Sequence, residues 1–112
     1  MRYSYPILLF VLLVSCSKSD SDLIQTVENA IHVPILTYEK VDYKDIGSLG
    51  YPVKVIDVTF TEAEFNALLN KTDLKGYTKE DGDYFRDFAS DSINYHIAIF
   101  SKEYKIRYAE ID

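Results

Sequence analysis

Cysteine is nearly absent from this 112-residue chain. The single Cys16 leaves no internal disulfide to brace a fold. Histidine occurs twice, at His32 and His96, and neither has the spaced cluster of partners that a zinc site needs. Both are read as structural, and no metal site is expected. Long apolar runs are missing too. The stretch ILLFVLLV, residues 7–14, stops at eight residues, against the ~20 that a helix needs to cross ~30 Å of hydrocarbon, so it is too short for a permanent span. Positive charge is scarce: 12 Lys and Arg face 18 Asp and Glu, a net charge of −6. That argues against nucleic acid as a ligand, because its affinity rests on Lys and Arg neutralising phosphate, and no such partner is expected. It also disfavours a polybasic grip on anionic lipid. No nucleophile-elbow pattern occurs, and carboxylates are so numerous that finding two together would discriminate nothing. No cofactor is expected.

The amino terminus is more informative. Arg2 and the terminal amine make a weakly positive leader, and the apolar run behind them fits the ~7–15-residue core of a secretory signal. The run ends at Leu13-Val14-Ser15-Cys16, and the polar residues SKSDSD follow at 17–22. This tetrapeptide resembles the lipobox of bacterial lipoproteins. The resemblance implies a thioether between the Cys16 sulfur and diacylglycerol, then cleavage between Ser15 and Cys16. It also implies acylation of the new amino terminus. Each buried methylene contributes about 0.8 kcal/mol, and two or more chains hold a protein on a membrane where one does not. Cys16 is therefore the expected membrane partner site. Removing residues 1–15 takes away Arg2 and no acid, leaving 97 residues with 11 basic against 18 acidic side chains, a balance of −7.

Residues 16–22 read as the lipidated cysteine and a hydrated, flexible tether, and 23–112 as one small domain. Ser17 stands where the inner-membrane retention signal of enterobacterial lipoproteins has aspartate. Lys18 followed by acids is similar to the surface-export signal of Bacteroidota lipoproteins, although Ser21 separates Asp20 from Asp22. The resemblance implies an outer-membrane protein facing the periplasm or the cell surface.

Within the domain, Leu23, Ile24, Val27, Ala30 and Ile31 recur at helical spacing, which predicts a helix over 23–33, capped by Asp22 and stopped by Pro34. Residues 35–43 read as a strand with Ile35, Val41 and Tyr43 on one face. VKVIDVTF, residues 53–60, is a second strand, with Ile56, Val58 and Phe60 on one face. Gly47, Gly50 and Pro52 punctuate the connection between them. Thr61-Glu62-Ala63-Glu64 is a capping box opening a helix over 62–71, with Phe65, Leu68 and Leu69 on its apolar face. INYHIAIF and YKIRYAEI alternate as two further strands. A two-residue turn would pair Ile99 with Ile106, and a three-residue turn Phe100 with Tyr104. The expected fold is α+β: a four-stranded antiparallel sheet with two helices on one face, in the order helix-strand-strand-helix-strand-strand.

Residues 72–92 do not fit that plan, and Tyr84, Phe85 and Phe88 suggest a short helical turn within them. An EF-hand reading fails here. With Gly82 at the sixth loop position, Tyr77 and Lys79 would fall where oxygen ligands belong. Tyr77, Tyr84, Phe85 and Phe88 are interleaved with Glu80, Asp81, Asp83, Asp87 and Asp91, a composition suited to a basic protein or a glycan. The competing expectation, preferred for Phe85 and Phe88, is that these aromatics fold back to cover the sheet. The functional expectation is a small non-enzymatic envelope lipoprotein with a binding or accessory domain. The alternative is an acidic inhibitor or immunity-type protein that masks a basic enzyme or toxin.

Overall fold

The computed structural model describes residues 19–46, 53–90 and 93–111. The signal-like segment, Cys16, and the punctuating Gly47, Gly50 and Pro52 lie outside them. The first helix, α1, spans Asp20–Ile31 and so starts earlier than the apolar pattern indicates. Ser19 rather than Asp22 is its cap: the Ser19 hydroxyl accepts from the Asp22 N–H at 3.3 Å. Asp20 and Asp22 then lie in the first turn, where the helix dipole favours negative charge. Three residues expected in the tether therefore belong to the helix. It also ends sooner than expected. His32 adopts the left-handed conformation (φ 62°), and its N–H bonds the Glu28 carbonyl.

Residues 34–38 form no strand, contrary to the expected strand over 35–43. The Ile35 N–H is claimed by the Glu28 carboxylate at 2.6 Å instead of by a neighbouring strand. Val33 and Ile35 are buried as plugs in the core, while Leu36 is 79% exposed. Strand β1 spans Lys40–Asp45 and pairs antiparallel with β2, Val53–Thr59. Helix α2 spans Glu62–Lys71, with both arms of its capping box present: Glu64 N–H to Thr61 Oγ1 at 3.2 Å, and Thr61 N–H to Glu64 Oε1 at 2.9 Å.

The larger correction lies in residues 72–92. There is no helical turn there. They form strand β3, Thr78–Glu80, and most of a hairpin with β4, Asp83–Ser90. Asp81 and Gly82 make the connection with φ of 53° and 85°, the positive values that a type I′ turn requires at both central residues. β5, Ile93–Phe100, and β6, Lys105–Ile111, follow. The sheet thus has six antiparallel strands, not four, in the order β1-β2-β6-β5-β4-β3. Two extra strands follow α2 in the chain. The last hairpin adopts the register pairing Ile99 with Ile106 and Phe100 with Lys105.

Alternation along the paired strands divides the sheet into two faces. Ile56, Val58, Ile97, Ile99, Ile106 and Tyr108 point to the helix side and are buried. With Leu23, Ile24, Val27 and Ile31 of α1 and Phe65 and Leu68 of α2 they make one core cluster. Both helices therefore cover the same face, as expected. Phe60, Phe65 and Tyr104 close the α2 side, with ring centroids 6.4 and 5.7 Å apart in sequence. No helix among the described residues is long and apolar enough to cross a membrane.

Candidate functional site

Along most of its length α1 meets the sheet with Leu23, Ile24, Val27 and Ile31. On its flank, Thr26, Asn29 and Ala30 follow at i, i+3 and i+4, which puts them on one stripe of the helix. These side chains are small or polar, and what they face is large. Phe88 of β4, Tyr95 of β5 and Tyr108 of β6 form a row of rings across the helix side of the sheet. Phe88 stacks on Tyr95 with centroids 4.9 Å apart and planes at 14°, and Tyr95 lies 6.0 Å from Tyr108 at 40°. Between the helix stripe and the ring row is an open trough of about 250 Å³. A second hollow of about 100 Å³, lined by Leu23, Tyr43, Lys54, Ile56 and Glu110, shares Thr26 and Tyr108 with it.

The polar groups around the trough are fixed by the same strands. The Tyr108 hydroxyl donates to Glu110 Oε2 at 3.0 Å. Burial, reinforced by this carboxylate, pushes the Tyr108 phenol far above its ordinary value, so it stays a donor. Thr26 Oγ1 donates to the Asp22 carbonyl at 3.1 Å, so its proton is committed and its oxygen can still accept. Asn29 is exposed, and its amide has no partner among the described residues. Arg86 sits 5.5 Å from the Phe88 ring and 5.8 Å from Tyr77. Burial raises the Tyr77 phenol, and the neighbouring Arg86 opposes that rise.

The opposite face of the sheet carries a different set. Asp57 of β2 and Arg107 of β6 are cross-strand partners joined by two parallel hydrogen bonds, Nε to Oδ1 at 2.8 Å and an Nη to Oδ2 at 3.0 Å. This fork geometry raises the Arg107 guanidinium above its ordinary value. Arg107 and Lys105 both lie over the Phe100 ring, at 5.5 and 5.3 Å, and Phe85 meets Phe100 edge-on at 6.2 Å. His96 Nδ1 pairs with the exposed Asp87 carboxylate on the neighbouring strand.

The four aromatics singled out in the sequence are therefore not one surface. Tyr77, Tyr84 and Phe88 pack against the core from the helix side, whereas Phe85 is 36% exposed on the other face. Neither Phe85 nor Phe88 folds back over the sheet as expected: both belong to β4, with Phe88 on its helix side and Phe85 on the opposite face. His32 caps α1 and His96 sits on the outer face, so the histidines are apart. Among the described residues no group of three or more His, Cys, Asp or Glu is placed to hold a metal. Gly82 serves a hairpin turn. Sequence reasoning passed over Tyr95, Tyr108, Thr26 and Asn29 as a set. The available signal was the polar i, i+3 pair beside an apolar stripe, together with tyrosine at helix-facing positions of two adjacent strands. Compared with protein-family models, curated proteins and solved structures, the chain matches none.

Proposed function

We propose that the chain is a lipid-anchored protein of the bacterial envelope whose folded domain binds a partner rather than turning over a substrate. The observation that carries the anchor is the apolar run at residues 7–14 ending in Leu13-Val14-Ser15-Cys16. A signal core of that length releases the protein for export, and the thiol then takes the diacylglycerol. The start of α1 sharpens the geometry. Because Ser19 already caps the helix, only Ser17 and Lys18 separate Cys16 from the folded domain, a reach of about 10 Å from Cys16 to Ser19 when extended. A domain held that close presents its surfaces to molecules at the membrane face. Lys18 followed by Asp20 and Asp22 supports outer-membrane or cell-surface placement.

A binding role is supported by the trough beneath α1, whose rings, amide and hydroxyls offer contact instead of bond-making. The test is metabolic labelling with a fatty-acid analogue in wild type and Cys16→Ser. Label on wild type alone, with the variant leaving the membrane fraction, is the expected result. Equal labelling of both would refute the anchor.

A further inference from the structure

We infer that the trough between α1 and the sheet is a saccharide-binding site that takes one ring of a neutral oligosaccharide. This deepens the binding role proposed above. The trough has two unlike walls. The sheet wall is aromatic, made by Phe88, Tyr95 and Tyr108, and the helix wall is polar, made by Thr26 and Asn29. A pyranose ring has the matching asymmetry: a patch of C–H groups that packs against apolar rings, and a rim of hydroxyls that both donate and accept. The Asn29 amide, without a partner among the described residues, offers a hydroxyl both a donor and an acceptor, and a strongly charged group would lose its water against the rings.

Charge around the trough points the same way. Glu110 borders one end, while Lys54 and Arg86 stand on the same face of the sheet. One acid against two bases selects neither a strong cation nor a polyanion, but all three can hydrogen-bond a hydroxyl. Volume limits the occupant. At about 250 Å³ the trough falls below the ~300–1,000 Å³ of sites for drug-sized ligands, so it suits a single ring. The adjoining hollow past Tyr108, with Tyr43, Lys54 and Glu110 on its walls, gives the chain a direction in which to continue.

Full-length lipidated protein, held in a detergent without a sugar headgroup, is titrated calorimetrically with neutral α-glucan, β-glucan, β-mannan and β-xylan oligosaccharides of defined length. A tetralysine peptide stands in for a basic protein partner. At least one glycan is expected to bind. Asn29→Ala should weaken it about tenfold, the usual scale for one lost hydrogen bond, with unchanged melting because Asn29 is exposed. Tyr95→Ala should abolish it, and Tyr95→Phe should restore binding if the ring is what the sugar meets. No binding by any glycan overturns the inference, as does glycan binding indifferent to Asn29→Ala and Tyr95→Ala, or tetralysine bound with the same mutational sensitivity. Fatty-acid labelling of Cys16 in the same preparation separates failure of this site from failure of the anchor.

Discussion

Phe65, Phe88 and Phe85 show how much one residue's position on a face decides. Phe65 is 2% exposed beneath α2, Phe88 is half-buried against Tyr95, and Phe85 stands on the uncovered face. Phe65→Ala should therefore cost about 3–5 kcal/mol. Phe85→Ala removes only an edge-on contact with Phe100 and should cost about 1 kcal/mol. Phe88→Ala should fall between them. Denaturant melts rank the three, and a larger loss for Phe85 than for Phe88 would mean the strand alternation is assigned to the wrong faces. His32 offers a test in the opposite direction. It holds a left-handed conformation that costs an L residue about 1–2 kcal/mol, so His32→Gly should stabilise the domain. A loss of stability would give the imidazole a role that its exposed position does not reveal.

At the scale of elements, the capping box and the β3–β4 turn are the points where local chemistry is most exposed to test. The backbone N–H of Thr61 holds the Glu64 carboxyl below its ordinary value, with the Thr37 side chain helping. A lowered carboxylate value means that the ionised form favours the fold. Its contribution is present at neutral pH and is lost as pH falls through the lowered folded-state value. Glu64→Gln keeps an acceptor but not the charge, so the variant should be less stable at neutral pH and the gap should close in acid. A gap that widens in acid would contradict the cap. Gly82, at φ 85° with open space where a Cβ would sit, should lose about 1–2 kcal/mol as alanine from backbone strain alone.

Helix α2, strand β2 and the carboxyl-terminal hairpin were legible because each combines a period with a cap or a turn. Thr61 and Glu64 bracket one, and strict alternation marks the others. The β3–β4 hairpin was not, although Asp81-Gly82 is its turn signal, because β3 has three residues, all exposed, and shows no alternation to read. Residues 35–38 misled in the other direction. Ile35 is apolar as a core plug beside Pro34, and one buried side chain imitates the start of a strand. The trough could not be read from sequence because its lining comes from α1, β4, β5 and β6, and only the six-stranded order brings them together.

For the whole molecule, the sheet has one face partly covered by two helices, with the trough left open beside α1, and another carrying paired charges over aromatic rings. With one cysteine the chain can form no internal disulfide, which leaves the Cys16 thiol for the lipid proposed above. The short reach from Cys16 to Ser19 predicts that the domain stays close to the bilayer. The lipid anchor is the claim on which the placement of every surface depends. Mass spectrometry of the amino-terminal peptide from the native envelope fraction tests it most directly. The account predicts a chain beginning at Cys16 and bearing diacylglycerol on sulfur; an unmodified Cys16 in a peptide still joined to Ser15 would contradict it.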